Sequence, residues 1–149
     1  MPLQPYGFAT DPPRRTILLV EDEPFVREAT CTILQHESFE VLLAADAPDA
    51  LKVYEQHPRP IDLVMADMVL PGRSGQQLGQ DLQLRSPRLA ILLTSGHVNP
   101  EYDTEAPESR TYFLAKPYSR RTLMEKIEKI LSANLTKQAV PKQAAAQAG

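Results

Sequence analysis

Four short apolar runs in this chain end on residues that could do chemistry. Thr16 to Val20 is followed by Glu21-Asp22, and Ile61 to Ala66 by Asp67. Leu89 to Leu93 runs into Thr94-Ser95, and Thr111 to Ala115 into Lys116-Pro117. In open α/β sheets ligands bind beyond the carboxyl ends of the strands, so three acids, a hydroxyl and a lysine would converge on one rim. Clustered carboxylates repel one another, and a hard divalent cation with oxygen ligands relieves that repulsion. Magnesium suits such a set, because it takes one or two carboxylates, keeps several waters and can bridge a phosphoryl oxygen.

Each residue also has a plainer reading. Glu21 or Asp22 could simply cap a helix beginning near Pro24. Lys116 could be a solvated charge at a strand end, Thr94 a β-branched strand former and Phe113 a core residue. Asp67 resists this treatment, since Met68-Val69-Leu70 behind it offers no helix start to cap. His36, His57 and His97 lack metal-ligand spacing. Cys31, the one cysteine, falls opposite the apolar stripe of its helix, which reads as an incidental half-exposed thiol.

These side chains can meet only if the runs lie side by side. The strands expected are Thr16 to Val20, Glu40 to Ala45, Ile61 to Ala66, Leu89 to Thr94 and Thr111 to Ala115, mostly continuous apolar runs suited to burial on both faces. Between them Phe25, Val26, Ala29 and Ile33 make one helical stripe, and Ala47, Ala50, Leu51 and Tyr54 a second. Leu78 and Leu82 make a thinner third after a Pro71-Gly72 turn and an N-cap at Ser74. Leu123, Ile127, Ile130 and Leu131 make a strong last one. From His97 to Arg110, Pro100 and Pro107 bracket four acids, so a helix there would be short or absent. Right-handed crossovers then give an α/β fold, a doubly wound five-stranded parallel sheet with helices on both faces.

The 149 residues suit one domain, expected over 14–135 between a loose leader, 1–13, and a mobile tail, 136–149, poor in large apolar groups. A net charge of -3 gives no field for nucleic acid, and no apolar run is long enough to insert in a membrane. A single cysteine excludes an internal disulfide and fits a cytoplasmic protein.

In order and spacing, several segments together resemble the receiver domains of two-component response regulators. They are Leu18-Leu19-Val20-Glu21-Asp22-Glu23-Pro24, Asp62-Leu63-Val64-Met65-Ala66-Asp67 with Leu70-Pro71-Gly72, Leu93-Thr94-Ser95-Gly96, and Phe113-Leu114-Ala115-Lys116-Pro117. The resemblance covers Arg14 to about Leu135 and implies a flavodoxin-like strand order, 2-1-3-4-5. It implies that Asp67 is phosphorylated by a histidine kinase or histidine phosphotransfer protein, and that a downstream protein reads the result. It implies Mg2+ held by Asp22, Asp67 and the carbonyl of Met68, with Glu21 acting through a metal-bound water. Lys116 would pair with Asp67 at rest and follow the phosphoryl group afterward, Thr94 and Phe113 would switch together, and the Lys116-Pro117 bond would be cis. Val69 and Gly96 would flank the route of attacking water. A stand-alone receiver is expected, because fourteen residues after Leu135 hold no output domain. A haloacid-dehalogenase-like phosphohydrolase would need an acid two residues after Asp67, where Val69 stands. A constitutive receiver-like binding module would not need the intact set of Glu21, Asp22, Asp67, Thr94 and Lys116.

Overall fold

A computed structural model describes residues 14–96 and 109–148, with side chains as far as residue 134. In chain order the elements are β1 (Thr16–Val20), α1 (Pro24–His36), β2 (Glu40–Ala44), α2 (Ala47–Gln56), β3 (Leu63–Asp67), α3 (Gly75–Arg85), β4 (Ala90–Ser95), β5 (Thr111–Ala115) and α4 (Arg120–Ala148). The leader, 1–13, and residues 97–108 of the proline-bracketed stretch lie outside the described residues.

The five strands pair in parallel in the order β2-β1-β3-β4-β5, as expected. Strand side chains alternate between faces, so the continuous apolar runs split into two cores. Ile17, Leu19, Leu63, Met65, Leu92 and Tyr112 face one side, packing with Leu34 of α1 and Leu123, Ile127, Ile130 and Leu131 of α4. Leu18, Val20, Val64, Ala66, Ile91 and Leu93 face the other, with Ala47 and Ala50 of α2 and Leu78 and Leu82 of α3. The expected stripes of the last three helices therefore face the cores, with Leu51 and Tyr54 of α2 partly buried. Helix α3 begins with a full capping box, in which Ser74 accepts from the Gln77 amide and the Gln77 side chain accepts from the Ser74 amide.

One expectation needs correction. Helix α1 is rotated about its axis relative to its apolar stripe: Thr30 and Leu34 are buried, whereas Phe25 is 81% exposed. Cys31, expected opposite the core, packs partly against it, and burial pushes its thiol pKa up. Polar partners go with this orientation, and an apolar count does not see them. The Thr30 hydroxyl lies 3.1 Å from that of Tyr118, and Arg27 donates to the Glu21 carbonyl at 2.7 Å. Helix α4 runs on to Ala148, through most of the 136–149 stretch that follows the expected domain. Lys, Gln and Ala are strong helix formers, so scarcity of large apolar groups does not end the helix.

Candidate functional site

The carboxyl ends of β1, β3, β4 and β5 meet on one rim, and each delivers its polar residue there. Residues 67 and 94 are register neighbours, and the Met68 amide donates to the Thr94 carbonyl at 2.7 Å. The Lys116 amide donates to Ser95 O, also at 2.7 Å, which fixes the backbone leaving β5.

Lys116 Nζ lies 2.9 Å from Asp67 Oδ2 and 2.9 Å from Glu21 Oε1. One ammonium thus serves two acids across the sheet, and sequence reading anticipated only Asp67. Burial alone would lower the lysine pKa, but hydrogen bonds and charge from Asp67 and Glu21 outweigh it and hold the pKa above its ordinary value. The second oxygen of Asp67, Oδ1, accepts from the Val69 amide at 3.0 Å, so the carboxylate is oriented from both sides. Glu21 is 4% exposed, and its other oxygen accepts from the Glu23 amide at 3.2 Å.

Glu21, Asp22 and Asp67 offer carboxylate oxygens that all lie within 4.8 Å of one another. Two oxygens on one magnesium at its usual bond length are at most about 4.2 Å apart. The set therefore fits the ion after slight closure, or with one acid acting through water. The capping alternative falls on a different residue, since Glu23 caps α1 by accepting from the Phe25 amide. Met68 O already accepts from the Gly75 amide at 2.9 Å, so a metal ligand there would need its remaining lone pair.

Thr94 is 2% exposed beside Asp67, and half-buried Phe113 packs against the second core, level with Leu93. The Lys116-Pro117 bond is cis, as the resemblance implied. Val69 is 71% exposed, and nothing lies within 4 Å of where a side chain at Gly96 would begin. Sequence reading missed Gly75 and Tyr118. Gly75 reads as one more turn residue, and its role follows only from how closely it approaches the Asp67 backbone. Tyr118 carries a polar handle beside Lys116-Pro117, which could have marked it. An open groove of about 660 Å³ runs from Lys116 along α1, walled by Phe25, Val26, Ile33 and Tyr118.

A parallel sheet in this order, with three acids and a lysine on its carboxyl rim, defines a receiver-type α/β domain. The chain belongs to the family described as response regulator receiver domain, which matches residues 17–128. Sensor kinase CckA of Brucella abortus (strain 2308) is 31% identical over 117 residues, which make up 78% of this chain and 12% of the kinase. This chain thus corresponds to a small part of that relative. Among solved structures, a CheY-like receiver domain protein from Methanospirillum hungatei JF-1 superposes with a TM-score of 0.74 at 25% identity, covering 84% of this chain and 99% of that one. The response regulator protein TrrA from Thermotoga maritima, solved in complex with Mg(2+)-BeF, gives 0.68 at 27% identity, covering 78% and 98%. Receiver domains are signalling phosphoacceptors of two-component systems that work with histidine kinases and phosphotransfer proteins and typically bind Mg2+ at an acidic cluster. No helix among the described residues is long and apolar enough to cross a membrane.

Proposed function

We propose that this chain takes a phosphoryl group on Asp67 from the phosphohistidine of a histidine kinase or phosphotransfer protein, and that a downstream protein reads the altered surface. The observation that carries this reading is the placement of Asp67 between Lys116, at 2.9 Å, and the acids Glu21 and Asp22. In the reaction an Asp67 oxygen attacks phosphorus and the P–N bond to the imidazole breaks. The electron pair of that bond stays on the ring nitrogen. Magnesium, when bound, would neutralise charge on the transferring oxygens. Asp22 and Asp67 would hold it directly, Glu21 through a water, and the Met68 carbonyl through its second lone pair. The ion in the TrrA complex supports that choice of metal. Lys116 would shift from the carboxylate to a phosphoryl oxygen, a point charge on a flexible stem. Buried Thr94 supplies a hydroxyl beside the acceptor, and Phe113 would move with it to carry the change outward. The receiver would act in the cytoplasm, and the groove along α1 leaves the donor protein an approach to Lys116.

The test is mass measurement after exposure to acetyl phosphate, with and without magnesium. One hydroxylamine-sensitive phosphoryl group should appear only with the metal. Asp22→Ala should remove the magnesium-dependent labelling while leaving the circular dichroism spectrum unchanged. A magnesium titration identical to wild type would take Asp22 out of the site.

The lifetime of the product follows from Val69. Its amide is committed to Asp67, and its exposed side chain offers attacking water no hydrogen bond. Gly96 leaves the approach open, but an open path does not hold a water in line. Val69→Asn should therefore speed the decay of loaded protein about tenfold, a modest share of what orientation can contribute. Donor is removed, magnesium is held constant and remaining phosphate is followed. Equal or slower decay in the variant would show that Val69 does not limit hydrolysis.

A further inference from the structure

Tyr118 has no part in the chemistry above, yet it stands two residues beyond Lys116. Its ring packs partly against the first core, and its hydroxyl lies 3.1 Å from Thr30 Oγ1. Thr30 is 4% exposed in the middle of α1. A buried hydroxyl is costly without a partner, and here the partner is a phenol on the loop that carries Lys116. That loop has two fixed points. Lys116 N is tied to Ser95 O at 2.7 Å on the strand side, and Tyr118 is tied to α1 on the helix side. The Lys116 side chain leaves the backbone at the first of them, with its ammonium shared between Asp67 and Glu21.

The phenol also lies within electrostatic reach of the site. Burial chiefly, with Glu21 and Asp67 adding to it, pushes its pKa up, while the Thr30 bond and Lys116 oppose the rise. The hydroxyl therefore stays protonated at neutral pH, and either hydroxyl can donate in the bond between them.

We propose that Tyr118 and Thr30 form a positioning pair, whose hydroxyl bond sets where Lys116 presents its ammonium to the phosphoryl group arriving on Asp67. This rests on the reading of Asp67 as the acceptor. The pair touches neither phosphorus nor its donor and acts through the lysine. Losing either hydroxyl frees the loop by a fraction of an ångström and slows the step in which Lys116 must meet developing charge.

Acetyl phosphate labelling is measured over a range of donor concentrations at saturating magnesium. The proteins compared are wild type, Tyr118→Phe, Thr30→Val, the double variant and Thr30→Ser. Each hydroxyl deletion should lower the maximal rate about tenfold while leaving the half-saturating donor concentration unchanged. The double variant should be no slower than either single one, since the bond is lost only once. Thr30→Ser, which keeps the hydroxyl, should label like wild type. Wild-type rates in Tyr118→Phe and Thr30→Val, even with lowered melting temperatures, would show a purely structural bond and overturn the proposal. A changed half-saturating concentration at an unchanged maximal rate, or multiplying losses in the double variant, would overturn it too. A wild type that takes no label removes the acceptor reading and this one together, whereas a labelled wild type with unaffected variants removes this one alone.

Discussion

Asp67→Asn should take no phosphoryl group from acetyl phosphate, while folding like the parent. The asparagine keeps an oxygen for the Val69 amide, which the aspartate accepts at 3.0 Å, but its amide cannot attack phosphorus. Lys116 loses one anion and retains Glu21 at 2.9 Å, so its half-buried ammonium is not left unpaired. Structure survives for that reason, and thermal unfolding should show it. Of the other two acids in the cluster, Glu21 is buried and accepts from Glu23 N, and Asp22 is exposed at the rim, so only Asp67 joins partial exposure to a bond with Lys116. Labelling of the asparagine variant at the wild-type level would move the acceptor to another residue.

Gly75→Ala should cost stability, although helix propensity alone predicts a gain of about 1 kcal/mol. A Cβ at this position would sit 2.1 Å from the Asp67 carbonyl oxygen and 2.9 Å from its carbon. Both are backbone atoms of β3, so neither can swing aside. Overpacking of this kind costs about 1–3 kcal/mol, enough to reverse the sign of the propensity term. Relief requires α3 to withdraw, which breaks the bond from Gly75 N to Met68 O and loosens the turn behind the acceptor. Urea midpoints should fall, and labelling should slow in molecules that remain folded. Gly72 provides the contrast, because its φ of +78° strains an alanine while the space around it is open. Gly72→Ala should lose stability and keep near-normal labelling. A raised midpoint in Gly75→Ala would mean that the helix can step back at no cost.

What the sequence revealed and what it hid have a common cause. The rim was legible because each site residue directly follows an apolar run, so placing the strands places the chemistry. Helix α1 was read in the wrong rotation because Thr30 and Arg27 turn inward toward Tyr118 and the Glu21 carbonyl. Those partners lie outside the helix, in the loops that follow β1 and β5, and a periodic count of apolar residues carries no trace of them. Gly75 was invisible for a similar reason, since its constraint comes from a strand that ends eight residues earlier. The shared lysine was half legible. Asp67 followed from the family pattern, and Glu21 emerged only once β1 stood beside β3.

The lysine's double attachment also has a mechanical side. Strand β5 lies at the margin of the sheet, laddered to β4 alone. Through Lys116 it is moored as well to Asp67 at the end of β3 and to Glu21 just beyond β1, so the ammonium ties three strands like a stay across a frame. The tension in that stay is set by charge, and charge is what a phosphoryl group on Asp67 would change. On the proposed function, a phosphoryl group at the centre of the sheet would be felt as slack or tightness at its outer edge, with no strand having to break its ladder.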